Sequence, residues 1–205
     1  MLTKLKYGAI NNKKIILFLF ALCIIGILSS SILVTVLSKI DQQEIINYIK
    51  NYFSNLSKID ILNTFIKSLI NNIIPILFIW IIGISIIGVP IIIFIYFYKM
   101  FILGFTISSF ILTYKIKGLL LSFLYVFPSR IISILIYTLI CLYAIKISNN
   151  LIYIIFNKKD INCSKITKKY IQIFIISIVF VTFNSIYESI ILKILFNKVI
   201  VLLKI

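Results

Sequence analysis

Five carboxylates are the only general acids and bases of their kind in this chain: Asp41, Glu44, Asp60, Asp160 and Glu188. Carboxylate catalysis needs a positioned pair, or a carboxylate set beside a nucleophile. The first four fall between apolar runs, and Asp41 with Glu44 reads as the exposed first turn of a helix. Histidine is absent, which removes the commonest proton shuttle and the usual zinc and haem ligand. Cys23, Cys141 and Cys163 are too scattered for a disulfide framework or a CxxC site. Two of them, Cys23 and Cys141, lie inside apolar runs, where cysteine behaves as a small hydrophobe. No phosphate-cradling glycine loop is present. The residue types therefore predict no catalytic centre, no cofactor site and no metal site.

Arg130 and Glu188 are a different case, because both lie within apolar runs. A charge at the centre of a bilayer costs about 2.5–3.5 kcal/mol on insertion scales, so it faces protein or water and finds a partner. If Pro128 opens a helix, residues 119–127 form a short re-entrant or interfacial piece. Arg130 then lies near the outer face, at a depth close to that of Glu188, and the two are expected to pair. A fold-stabilising ion pair, an ion or proton pathway, and two interfacial charges that never meet are the three readings. One carboxylate without histidine makes a poor relay.

The elements that must position this pair follow from composition. Hydrophobic residues make up 62% of the 205 positions and charged residues 13%, with a mean hydropathy of +1.18. A soluble domain carries about 45–50% apolar and roughly 25% charged residues, so this chain has too little polar surface to cover itself in water. The net charge of +16 is not a nucleic-acid signature. All the basic residues except Arg130 are lysines, spread between the apolar runs rather than clustered on one face with exposed aromatics. The fold class predicted is all-α: a polytopic membrane helical bundle of about five spans with amphipathic interfacial helices, in contact with lipid.

Along the chain, residues 1–14 form a basic end, which the positive-inside rule places in the cytoplasm. Residues 15–37 are the first span, too long for a signal-peptide core and without an A-x-A site. Residues 38–72 read as an outer amphipathic loop, with apolar residues at helical spacing in two series split near Ser57. Ser57 and Asp60 have capping-box spacing. Residues 73–145 hold the central spans. Their opening apolar stretch, 73–113, would make a single helix about twice the ~30 Å hydrocarbon core, so the chain must turn. Gly88-Val89-Pro90 and Tyr98-Lys99-Met100 are the candidate turns; the second is preferred, with Pro90 kinking a long helix. A basic loop, 146–169, holds topology and touches anionic lipid. The last span and a short tail occupy 170–205. Five spans place the termini on opposite sides, and the lysine count favours a cytoplasmic N-terminus by eleven against nine.

Small residues mark where helices can approach closely. Gly26 with Ser30, Gly104 with Ser108, and Ser185 with Ser189 have small-xxx-small spacing. Gly83, Ser85, Gly88, Pro90, Gly104 and Pro128 are the expected packing or kink positions. They serve either packing within the chain or a docking face for a partner helix. Ile45, Ile49, Tyr52 and Phe53 on the amphipathic segment are the candidate partner surface, and helices simply lying on the membrane are the alternative.

The central segment also carries a resemblance. The run Gly83-Ile84-Ser85-Ile86-Ile87-Gly88-Val89-Pro90, then Tyr98-Lys99-Met100-Phe101-Ile102-Leu103-Gly104-Phe105-Thr106, resembles the stage II sporulation protein M family of endospore-forming bacteria. Lys117-Gly118-Leu119-Leu120, Phe127-Pro128 and Ser185-Ile186-Tyr187-Glu188 continue the likeness, which covers nearly the whole chain. Ser189-Ile190-Ile191 stands where the family often has a proline. The resemblance implies a non-enzymatic membrane scaffold for engulfment during sporulation. It would sit at the septum, in the mother-cell membrane, and anchor the peptidoglycan-degrading stage II sporulation proteins D and P. A permease component working with a separate ATPase is the rival reading.

Overall fold

The computed structural model describes residues 12–55, 60–85, 87–123, 127–157 and 163–203, with side chains described for most of them. Among these there are six helices and no strand: α1 (Asn12–Val36), α2 (Lys39–Asn55), α3 (Ile61–Ile82), α4 (Gly88–Leu121), α5 (Phe127–Asn157) and α6 (Cys163–Leu203). All but α2 are long and apolar enough to cross a membrane. The protein is a five-span helical membrane protein with one amphipathic helix between its first two spans.

The direction of each span follows from its side-chain contacts. Gly26 meets Met100 while Gly104 meets Ile27 and Ser30, so α1 and α4 run parallel. Ser68 reaches Glu188 while Tyr170 reaches Ile79, so α3 and α6 run antiparallel. Successive spans therefore alternate. The start of α1, the 83–87 turn and the start of α6 share one face of the bundle, called here the first face. The end of α1, α2, Asp60, Arg130 and Glu188 share the second.

In lipid no hydrophobic force draws one helix to another, so close packing and hydrogen bonds must. The α1–α4 seam is the clearest case. A Cβ on Gly104 would stand 2.2 Å from Ser30 Oγ and 2.7 Å from Ile27 Cα, and one on Gly26 would stand 2.9 Å from Met100 Cβ. Ser108 Oγ donates to Ser31 Oγ at 2.9 Å and Cys23 Sγ lies 3.4 Å from Met100 Sδ. The two small-xxx-small pairs of α1 and α4 are thus spent on each other. More than half of the α5 span is buried, against under a third of each other span, so α5 is the central helix. Around it Ile76, Ile79, Ile92, Tyr96, Ile140, Cys141, Ala144 and Tyr170 form the core.

The turn in 73–113 lies at Gly83–Ile87, not at Tyr98-Lys99-Met100. Met100 is buried beneath α1 and Tyr96 is buried in the core, so α4 runs unbroken through that site. At the real turn a Cβ on Gly83 would meet Tyr170 Oη at 2.3 Å, and one on Gly88 would meet the Ile82 carbonyl at 2.2 Å. Only glycine lets α4 start this close to the end of α3. Pro90 kinks nothing: it sits in the first turn of α4, where its missing N–H has no helical acceptor to lose. Pro128 is likewise the second residue of α5.

The segment 38–72 divides differently from expectation. α2 is the amphipathic helix, but from Ile61 onward the chain is already the second span. Asp60, rather than Ser57, caps α3: its carboxylate accepts from the Leu62 N–H at 3.2 Å, and Ser57 lies outside the described residues. Ser38 caps α2, accepting from the Asp41 N–H at 3.2 Å, while Gln42 Nε2 donates back to the Leu37 carbonyl at 3.2 Å and the Val34 carbonyl at 3.3 Å. These bonds fix the corner between α1 and α2. Further along, α4 bends sharply at Lys115, whose φ of 52° and ψ of −127° are left-handed. A Cβ on Gly118 would strike the Phe110 carbonyl at 2.0 Å, so the last turns of α4 fold back on it.

Two outcomes are expected. Gly104→Ala forces the α1 backbone away and should cost about 1–3 kcal/mol, read as a lower midpoint in denaturant unfolding of the detergent-solubilised protein. Lys115→Gly relieves a backbone conformation costing about 1–3 kcal/mol in non-glycine residues, and should raise the same midpoint.

Candidate functional site

The site begins with a proline. Pro75 lies inside α3, and having no N–H it cannot donate to the carbonyl four residues earlier, that of Asn71. In hydrocarbon an orphan carbonyl is expensive. Lys99 of α4 fills the gap, its Nζ donating to the Asn71 carbonyl at 2.8 Å. Next to it, Tyr137 of α5 donates from Oη to the Asn72 carbonyl at 3.1 Å, and the Lys99 ammonium stands 5.5 Å from the Tyr137 ring centroid. Lys99 thus bonds α4 to the opened stretch of α3, in the interior of a span rather than at an interface.

Above this floor, toward the second face, lies the ion pair. Arg130 Nη2 is 3.4 Å from Glu188 Oε1, with the side chains 33% and 13% exposed. Ser68 Oγ donates to the other oxygen of Glu188, and Asn72 Nδ2 donates to the Ser68 carbonyl at 2.9 Å. One turn of α6 earlier, Asn184 Nδ2 donates to Ser133 Oγ of α5 at 3.1 Å. The pair thus ties α5 to α6, and Ser68 brings in α3.

The ion pair, Ser68, Asn72 and Lys99 border a cleft of about 1100 Å³ that runs from Asp60, Asn63 and Lys67 past Arg130 and Glu188 down to Asn71, Asn72 and Lys99. Its polar wall is one stripe of α3: Asn63, Lys67 and Asn71 at four-residue spacing, with Thr64, Ser68 and Asn72 beside them. This stripe gave 61–72 the look of a helix lying on the membrane. It is instead the inward face of a spanning helix. Its opposite side, including Leu62, Ile66 and Ile70, is exposed.

Of the candidate partner surface, Ile49 is buried, Ile45 half-buried and Tyr52 exposed. Ile49 is buried against Phe110 of α4, with Ile45, Ile107 and Tyr114 packed around them. Tyr52 lines the cleft together with Tyr48, and the Phe53 side chain lies outside the described residues. Of the packing positions, Gly104 sits in the α1–α4 seam, and Gly83 and Gly88 form the turn. Ser85 offers its carbonyl to Ser148 Oγ of α5 at 2.7 Å.

Chemically, the cleft presents three cations, Lys67, Lys99 and Arg130, against two carboxylates, Asp60 and Glu188. Among the described residues no cluster of His, Cys, Asp or Glu could hold a metal ion. Lys99, Ser68, Asn72 and Tyr137 were not expected here. The signal for them was Asn71-Asn72 placed four and three residues before Pro75, and a lone lysine inside an apolar run.

Breaking the ion pair should be costly but short of the fully buried limit. Arg130→Glu or Glu188→Arg alone is expected to lose about 1–3 kcal/mol, between surface and buried pairs. The double swap should recover most of it, the Ser68 hydroxyl turning to accept from the new arginine. Unfolding midpoints of the four proteins test this, and a swap no better than the worse single variant would refute the coupling.

The comparisons come down to one match. The family model described as Stage II sporulation protein M matches residues 11–191. No curated protein and no solved structure matches the chain. The match covers the first span, the Gly83–Pro90 turn, the α1–α4 seam and both members of the ion pair. The chain belongs to the stage II sporulation protein M family, as a sporulation-related protein of the membrane.

Proposed function

We propose that this protein is a non-enzymatic membrane scaffold for engulfment during endospore formation. In this reading it sits at the septum, in the mother-cell membrane, and anchors the peptidoglycan-degrading stage II sporulation proteins D and P. The observation that carries it is the family match along residues 11–191, which takes in all five spans. Two features support it. The five carboxylates form no catalytic set in the sequence. The amphipathic helix α2 emerges on the second face, whose lysines are marginally fewer, so the positive-inside rule puts it outside, where cell-wall hydrolases work.

The cleft supports a second reading, a permease component working with a separate ATPase. It is large and partly charged. Against transport, its lining ends at Phe78 of α3 and Ile95 of α4, and beyond them Ile79, Ile92, Ile140, Ala144 and Tyr170 are buried in a continuous core. A pocket open toward one face suits binding better than passage.

Deletion of the gene in its sporulating host distinguishes the two. Arrest at engulfment under membrane staining, with fluorescent fusions of proteins D and P dispersed from the septum, is the expected result. Completed engulfment with correctly placed hydrolases would overturn the scaffold role.

A further inference from the structure

The cleft has the build of a ligand site independent of any role in engulfment. Lys99 is held inside a span without a carboxylate at salt-bridge distance among the described residues. A lysine carries three donors; one goes to the Asn71 carbonyl, and no other described bond engages the remaining two. Arg130 and Glu188 neutralise each other, which leaves Lys67 and Lys99 against Asp60 at the far rim. An ionisable group kept at this depth marks a functional site, and the local excess is positive.

The shape of the opening identifies what can enter. α3 and α4 leave the Gly83–Ile87 turn together and then diverge, α3 packing mainly on α6 and α4 mainly on α1 and α5. Between them Ile74, Phe78, Tyr98 and Ile102 border the cleft, and each of these apolar or aromatic side chains stays exposed. The cleft therefore opens sideways within the spanning zone, where the surrounding medium is lipid. A polar, cationic interior with an apolar side door fits an amphiphile better than a soluble solute, which would meet that door only from hydrocarbon.

We propose that the cleft binds an anionic phospholipid, its phosphate-bearing headgroup drawn in among Lys67, Lys99 and Arg130, with an acyl chain lying along Ile74, Phe78 and Ile102. The headgroup enters from the second face, sinks below the ordinary interface, and supplies the negative charge that the cleft lacks. Lys99 thereby has two tasks: it satisfies the carbonyl that Pro75 orphans, and it recognises the phosphate.

The test is native mass spectrometry of the full chain released from detergent with phosphatidylglycerol, phosphatidylcholine or inorganic phosphate. The wild type should retain phosphatidylglycerol in preference to phosphatidylcholine. Lys99→Gln, which keeps a donor and drops the charge, should lower that preference about fivefold, as expected for one basic group near an anionic lipid. Lys99→Arg should keep it, and Lys39→Gln, outside the cleft, should not change it. Because the readout is a headgroup preference within each variant, a loss of stability in Lys99→Gln does not imitate the effect. If Lys99→Gln yields no folded protein, Lys67→Gln is read in its place, with a smaller loss of the same sign. Equal retention of the two lipids, unaltered preference in the Gln variants, or displacement of the lipid by inorganic phosphate would overturn the proposal.

Discussion

Within hydrocarbon every backbone N–H and C=O must find its partner inside the protein, and this requirement organises the whole bundle. Most of it is met by the helices themselves. Where the helices fail, side chains of α4, α5 and α6 have been brought to the gap. At the end of α3 the Tyr170 hydroxyl reaches the Trp80 carbonyl at 3.0 Å, while the Ile79 and Ser85 carbonyls, which already accept from the Gly83 and Gly88 N–H groups, take second contacts from Tyr170 and Ser148. At Pro75, Lys99 and Tyr137 serve Asn71 and Asn72. Each of these bonds joins two elements, so the repair of local backbone defects is also the lateral glue of the structure. That is economical where lipid offers no hydrophobic force for association.

The central helix α5 shows the consequence. Arg130, Ser133, Tyr137, Thr138 and Ser148 each reach another element: α6 through Glu188 and Asn184, α3 through the Asn72 carbonyl, α4 through Tyr96, and the 83–87 turn through Ser85. The side of the bundle built by α1 and α4 uses a different device, glycine and serine set for close backbone approach. Glycine seams need complementary surfaces and leave no room, whereas polar bridges hold helices that are not in continuous contact. The cleft lies on the polar side for this reason. α3 and α4 can part company because α5 and α6 hold α3 through hydrogen bonds.

Much of this was legible in the sequence. Hydrophobic excess and run length give an all-helical membrane protein with five spans, and the small-residue spacings at Gly26/Ser30 and Gly104/Ser108 mark a real seam. The Arg130–Glu188 distance accords with two charges placed at equal depth. The errors share one cause. Asn63, Lys67, Asn71 and Asn72 give the second span the polarity of a surface helix, and Lys99 gives the third the look of an interface, yet all five line the cleft. Polar residues in a span also face a cleft, and a hydropathy profile does not separate the two. The turn at Gly83–Ile87 is masked in the same way, because Tyr98-Lys99-Met100 combines aromatics and a lysine as an interface does. The four-residue spacing from Asn71 to Pro75 was the discriminating signal, since it names a carbonyl that some donor must satisfy.

The amphipathic helix joins the two halves of the molecule. α2 is anchored on α4 by one small cluster around Ile49 and Phe110, yet its Tyr48 and Tyr52 help to line the mouth of the cleft. An element held by few buried apolar contacts opens at low free-energy cost compared with the core. A shift of α2 on its α4 seat therefore also moves Tyr48 and Tyr52 at the mouth of the cleft. Of the candidate partner surface, Ile49 is buried on α4, Ile45 is half-buried beside it and Tyr52 is exposed at the mouth of the cleft. α2 thus links the second face of the bundle to the cleft beneath it through side chains of a single helix, Ile49 on the α4 side and Tyr48 and Tyr52 on the cleft side.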